Sequence, residues 1–184
     1  LTSITAYRDT SLNADQDVDF TSLALASGAQ IGDASIRAFT QEVRLASDFD
    51  GPFNFLVGGF YFKEDLDVSD QIVFGRDFRA YANGLIGAAS GGALNVNTLE
   101  GLLGQAPGSF FGEGQGFFNN FVQDNEAYSL FGQVDFKPTD RLTLTAGVNY
   151  TNDRKNVRST SRSTDVFSNL NLDAPEFAAS RALL

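Results

Sequence analysis

The feature that most restricts this chain is the strict alternation of Leu142, Leu144, Ala146, Val148 and Tyr150 with Thr143, Thr145, Gly147, Asn149 and Thr151. Successive side chains of an extended strand leave on opposite faces, so a period of two gives one apolar and one polar face. The same pattern precedes it: Tyr128, Leu130, Gly132, Val134 and Phe136 alternate with Ser129, Phe131, Gln133 and Asp135. Between them, Lys137-Pro138-Thr139-Asp140-Arg141 supplies the Pro and Asp that favour a reversal, and the two runs read as a hairpin. A second hairpin runs from Phe39, Gln41, Val43 and Leu45 through Ser47-Asp48-Phe49-Asp50-Gly51-Pro52 into Phe53, Phe55, Val57, Gly59 and Tyr61. A further strand is expected near the start. The predicted strands are 1–8, 36–47, 53–65, 126–136 and 141–154, an all-β antiparallel meander, followed by a polar tail over 158–184.

The lengths of the connections choose among all-β architectures. They alternate: about 25 residues, about 6, about 60, then about 5. Compact soluble domains seldom join adjacent strands through so long an excursion, whereas outer-membrane barrels keep short turns at one rim and long loops at the other. The meander is therefore expected to form part of a large transmembrane β-barrel with long extracellular loops. Aromatic residues at the ends of apolar faces, Phe53 and Tyr61, Phe136 and Tyr150, match the interfacial girdles of such barrels. The long connection from Leu66 to Asp124 holds one expected helix, 97–103, with Asn97 as N-cap and Gly104 as stop. Phe110, Phe111, Phe117, Phe118 and Phe121 are expected to pack that loop into a small core of its own.

Composition closes other routes. The net charge is −10, and Cys, His, Met and Trp are absent. This removes the usual zinc sites, imidazole-activated nucleophiles, thiol redox motifs and disulfide staples. The acidic balance speaks against nucleic acid as a partner. No uncharged stretch reaches the ~20 strongly apolar residues of a membrane helix. The opening Leu-Thr-Ser-Ile-Thr has no basic region or cleavage site, so the chain reads as an internal piece of a longer protein.

The strands carry a family likeness. Ser3-Ile4-Thr5-Ala6-Tyr7-Arg8, Phe39-Thr40-Gln41-Glu42-Val43-Arg44-Leu45-Ala46-Ser47 and Phe55-Leu56-Val57-Gly58-Gly59-Phe60-Tyr61-Phe62 resemble a barrel sector of the TonB-dependent receptors. The hairpin of Tyr128–Asp135 and Leu142–Tyr150 resembles the next one in the same barrels, so the likeness covers most of residues 1–157. It implies a 22-stranded outer-membrane barrel of Gram-negative bacteria, plugged by an N-terminal domain. Such barrels are energised by TonB, ExbB and ExbD, and they import siderophore-iron, haem, cobalamin or carbohydrate. Neither plug nor aromatic C-terminal strand is recognised here, and five strands do not close a barrel. The expected partners are outer-membrane lipid, the rest of the barrel and plug, TonB-ExbB-ExbD through the parent alone, and other copies of the fragment through its unpaired edges.

On this reading Phe55, Val57, Leu130, Val134, Leu144 and Val148 face lipid. Thr40, Glu42, Arg44, Gln133, Asp135, Thr143, Thr145 and Asn149 face the lumen, with Glu42 and Arg44 as a structural ion pair. No catalytic, cofactor-binding or metal-binding residue is assigned. Asp15, Asp17 and Asp19 alternate as in a calcium loop, but Phe20 and Ala26 stand where an EF-hand needs Gly and Glu. Gly112-Glu113-Gly114-Gln115-Gly116 lacks the strand and helix context of a phosphate loop. Asp48 with Asp50, and Asp65 with Asp67, read as hydrated carboxylates rather than acid–base pairs. Two rival readings are a soluble β-sandwich for binding or adhesion and a self-assembling β-rich fragment.

Overall fold

The computed structural model describes residues 1–27 and 33–177. Among these described residues six strands form one sheet: β1 (Thr2–Asn13), β2 (Ala26–Ser27), β3 (Asp33–Ala46), β4 (Phe53–Phe74), β5 (Gly116–Thr139) and β6 (Leu142–Ser163). The order is β1-β3-β4-β5-β6, an open antiparallel meander in which β2 pairs only with the end of β4, Ala26 opposite Phe74. The remaining elements are the helices α1 (Phe78–Ala89) and α2 (Val96–Leu102) and a 3-10 turn at Pro175–Phe177. None of the described helices is long and apolar enough to cross a membrane, which says nothing of crossing by strands.

The chain divides into two compact units. The first, a wall unit, comprises Leu1–Leu12, Ala34–Asp67 and Phe121–Arg158. The second, a loop unit, takes Asn13–Asp33, Val68–Asn120 and Ser159–Leu184.

In the wall unit, side-chain hydrogen bonds close the expected turn at 47–52. The Phe55 amide donates to Ser47 Oγ (2.7 Å), the Phe49 amide donates to Asn54 Oδ1 (2.8 Å), and Asn54 Nδ2 returns a bond to the Phe49 carbonyl (3.2 Å). Ser and Asn thus supply locally the pairing that Pro52 cannot give. The second hairpin reverses through Asp140 and Arg141 alone, a tighter turn than the five residues expected, because β5 carries on through Pro138 to Thr139. Buried apolar residues are almost missing from this unit: among the described residues only Ala38 qualifies. The described strands all belong to this one sheet, not to the two packed sheets of a β-sandwich.

All five long strands depart from the expected limits, and β4, β5 and β6 most of all. β4 ends at Phe74 rather than 65, β5 begins at Gly116 rather than 126, and β6 ends at Ser163 rather than 154. Polarity alternation lapses beyond Glu64, yet ladder hydrogen bonds need only extended backbone, so pairing outlasts the pattern. The 60-residue connection shrinks accordingly to residues 75–115.

The loop unit has its own core, made of Ala82, Val96, Leu99, Leu103 and Phe110. Phe78, Ile86, Leu94 and Phe111 pack against it, as do Val166, Phe167, Leu170, Leu172 and Phe177. The segment after Arg158 is therefore not a featureless tail where it is described: β6 takes its first part and the loop core takes its apolar residues. Of the five phenylalanines expected in the core, Phe110 and Phe111 are there, whereas Phe117, Phe118 and Phe121 belong to β5. Helix α2 begins one residue early, and its cap is Asn95, whose side chain accepts from the Thr98 amide (2.9 Å). Asn97 serves elsewhere, and Gly104 follows the helix with φ +66°, the left-handed stop that glycine tolerates best.

At Gly58 a Cβ would lie 2.5 Å from the Phe131 ring and 2.7 Å from the Val43 carbonyl oxygen. The phenyl ring occupies the space a side chain would take on that face. Gly58→Ala is expected to destabilise the folded wall by about 1–3 kcal/mol. Denaturant titration in detergent or bilayer reads the loss, and Phe131→Ala, which frees the ring's volume but not the carbonyl, should restore part of it.

Candidate functional site

The wall unit offers two faces of different chemistry. On one, Phe53 stacks on Phe136 (4.6 Å between centroids, 18° between planes), Phe39 lies against Tyr61 (6.2 Å), and Tyr128 against Tyr150 (6.4 Å). These contacts set the phase of the ladder. Odd residues of β3 and β4 share a face with even residues of β5 and β6, which places Val43, Leu45, Phe55, Val57, Leu130, Val134, Leu144 and Val148 together. The face is bare: Val148 is 74% exposed, Leu130 64% and Leu144 53%. Its polar members, Ser3, Thr5 and Gln41, satisfy one another through Thr5 Oγ1 to Gln41 Oε1 and Gln41 Nε2 to Ser3 Oγ (3.0 Å).

Two aromatic levels bound this apolar band. Phe53 and Tyr61 on β4, and Tyr128 and Phe136 on β5, are both eight positions apart. Eight residues span about 26 Å along a strand, or about 20 Å of height at a tilt near 40°, close to the ~25 Å apolar belt of a membrane barrel. Beyond the tyrosine level the same face turns polar, with Lys63, Glu126 and Asn152 next in line and Arg154 after Asn152. Tyr61 Oη donates to Glu126 Oε1 (2.9 Å) at that border.

The opposite face carries the polar residues. Glu42 and Arg44 form the expected ion pair on β3. Asp135 accepts from Thr145 Oγ1 (2.7 Å) across the hairpin and from Gln133 Nε2 (3.3 Å) along its own strand. Asn149 Nδ2 donates to Thr151 Oγ1 (3.3 Å). Thr40 and Thr143 share the phase of this face. Its eight sequence-selected residues thus share one phase of the ladder, in small separate clusters.

The loop unit holds a buried charge that sequence reasoning missed. Glu100 of α2 is fully buried, and Arg79 of α1 meets it through both nitrogens, Nη1 to Oε1 (2.8 Å) and Nη2 to Oε2 (2.9 Å). The amides of Gly108 (3.0 Å) and Phe110 (2.8 Å) also donate to the carboxylate, and Arg79 Nη2 donates to Asn97 Oδ1 (2.7 Å). Four donors outweigh the desolvation of the charge: the Arg79 guanidinium first, then the two amides, hold the Glu100 pKa at about 2 against an ordinary 4.5. A lone acid inside the apolar run Leu99–Leu103 was the available signal, since such a residue goes inside only with a partner.

Asp19, one of the three alternating aspartates, is likewise structural. Its Oδ1 accepts from the Thr21 amide and hydroxyl, and its Oδ2 from the amides of Leu25 (3.0 Å) and Ala26 (2.9 Å). Thr21, then the backbone donors, lower its pKa.

Residues 2–178 match the family described as TonB dependent receptor-like, beta-barrel. The chain belongs to that family. Comparison with curated proteins finds no match. Members of the TonB-dependent receptor family are transport receptors of the Gram-negative outer membrane rather than an enzyme class, and they work with a plug and TonB. An exposed apolar belt between two aromatic levels is the form a wall of such a barrel takes.

Because the folded pKa of Glu100 lies below its unfolded value, its contribution to stability is complete above about pH 4.5 and is lost as the pH falls through about 2. Hydrogen exchange at the Gly108 and Phe110 amides should stay slow, after correction for the intrinsic pH dependence, from pH 7 to 5 and open progressively below about 4. Glu100→Gln is expected to cost the loop unit about 3 kcal/mol at pH 7 and to abolish that acid transition.

Proposed function

We propose that this chain is a wall sector of an energy-coupled outer-membrane importer for a scarce, bulky solute such as siderophore-iron, haem, cobalamin or a carbohydrate. One observation carries the reading: a face of large apolar side chains left exposed among the described residues, bounded at both levels by aromatic rings. Water would penalise such a face, while hydrocarbon accepts it. Phe55, Val57, Leu130, Val134, Leu144 and Val148 then contact lipid. Thr40, Glu42, Arg44, Gln133, Asp135, Thr143, Thr145 and Asn149 line the lumen, against the plug of the complete receptor.

The meander supports an orientation. Turns 47–52 and 140–141 join one set of strand ends, and the long connections leave from the other, after Asn13 and after Phe74, the division of short periplasmic turns from long external loops. Both outer strands, β1 and β6, keep one edge that this sheet does not pair. In hydrocarbon those groups need further strands, which a closed barrel provides and to which the plug and TonB belong. The solute would meet the 75–115 connection first.

Placing a charge on each face tests the wall. Leu144→Arg is expected to cost about 2–4 kcal/mol of folding free energy in a bilayer, whereas Thr145→Arg, facing Asp135, should change it little. Equal tolerance of both would remove the lipid assignment. Uptake of labelled siderophore-iron, haem, cobalamin and oligosaccharide by cells with and without the gene tests transport. Loss of one names the solute, and unchanged uptake of all four overturns the importer reading.

A further inference from the structure

Two buried oxygens of the loop unit, Oδ1 of Asp165 and Oγ of Ser109, have no hydrogen-bond partner among the described residues. Asp165 follows the end of β6 and is 1% exposed. Its Oδ2 accepts from the Ser168 amide (2.8 Å) and hydroxyl, so only Oδ1 is left over. The charge is uncompensated as well. Among the described residues the ion pairs join Arg44 to Glu42, Arg76 to Asp77 and Arg79 to Glu100, and none reaches Asp165. Arg162, three residues before it, stands over the Phe118 ring (5.0 Å).

Contacts within the loop unit bring the segments of the two oxygens together. Gln115 Nε2 donates to the Ser109 carbonyl (2.9 Å). The next residue, Gly116, donates its amide to Thr164 Oγ1 (3.0 Å) and accepts from the Thr164 amide (2.9 Å), directly before Asp165. The Phe110 ring, directly after Ser109, meets the Phe167 ring edge-on at 5.2 Å. A carboxylate sealed in such a core without a counter-charge is strongly unfavourable. Water satisfies lone pairs but leaves the charge, whereas a hard cation answers both.

We propose that the loop unit binds one calcium ion at Asp165 Oδ1, with the Ser109 hydroxyl as a second ligand. Calcium takes oxygen ligands in flexible geometry, so backbone carbonyls and water can complete its shell, while magnesium demands a near-ideal octahedron. With a single carboxylate the affinity belongs to the weak end of calcium sites, Kd about 10⁻⁴–10⁻³ M. The bound ion holds the segment after β6 against the turn that follows α2. This site stands on the loop core alone and is independent of the lipid-facing wall.

The test uses the full chain in detergent micelles, stripped with EGTA and titrated with calcium chloride, with magnesium chloride in parallel. Calorimetry is expected to count one calcium ion. At about ten times Kd, hydrogen exchange at the Phe110, Val166 and Phe167 amides should slow about tenfold, the factor 1 + [Ca²⁺]/Kd. Asp165→Asn should weaken calcium binding by more than about tenfold and Ser109→Ala by about threefold. The double variant D15N/D17N, on the other connection, should leave it unchanged. A reversal of order distinguishes a metal ligand from a merely structural residue. In EGTA the Asp165→Asn chain, relieved of its uncompensated charge, should exchange more slowly than wild type, and in saturating calcium more rapidly. Exchange of the wild type that ignores calcium, or calcium affinity that survives Asp165→Asn, overturns the proposal. Equal protection by magnesium also overturns it, by assigning the effect to divalent charge in general. If Asp165→Asn does not fold, Ser109→Ala decides, and an unchanged calcium affinity in that variant refutes the site.

Discussion

The structure depends on backbone hydrogen bonding across a sheet whose apolar side stands exposed among the described residues. In most folds the hydrophobic effect gathers strands into a core. Here the wall unit buries almost nothing apolar, and order in its strands comes from the ladder and from cross-strand contacts such as Phe53 on Phe136 and Thr145 with Asp135. A one-residue slip would exchange the faces, sending Leu144 and Val148 to the side of Asp135 and Glu42. The ring stacks on one face and the hydrogen-bonded polar clusters on the other jointly oppose that slip.

The loop unit is built on the opposite principle. It has a conventional core, and at its centre Glu100 accepts from Arg79, Gly108 and Phe110, joining α1, α2 and the turn that follows α2. Pairs of this kind add little net energy over an apolar replacement, but removal of one partner strands a buried charge, so the pair fixes one arrangement of a Gly-rich connection. Gly91, Gly92, Gly104, Gly108 and Gly114 all take positive φ in this stretch. Their freedom makes a specific polar clamp more necessary. A connection ordered in this way presents a defined surface, which recognition of a solute requires.

Much of the wall was legible in the sequence, for a local reason. Alternation at Leu142–Thr151 and Tyr128–Phe136 is a one-dimensional record of two faces, and the Glu42–Arg44 pair follows from residues two apart on one strand. Helix α1 left a weaker record. Its Gly84 and Gly87 lower helix propensity, and its N-terminal Asp77 makes no side-chain cap bond, spending its carboxylate on the Ala24 amide instead. The cap of α2 was misplaced by two residues because Asn95 and Asn97 are chemically equal candidates, and Arg79, remote in sequence, engages the second. Strand ends were read short because polarity alternation reports what the faces touch, whereas pairing reports only that the backbone is extended.

By itself the sequence determined the central stretch of each long strand, which side of it is apolar, the antiparallel meander and the alternation of short with long connections, since these are written in spacing and turn chemistry along a single dimension. Tertiary structure alone decided how far β4, β5 and β6 go on pairing, that no second sheet covers the apolar face among the described residues, that Val166, Phe167, Leu170, Leu172 and Phe177 join the loop core, and that Glu100 goes inside on Arg79. These are contacts between residues far apart in the chain. Their energies depend on distances in space that no local pattern encodes.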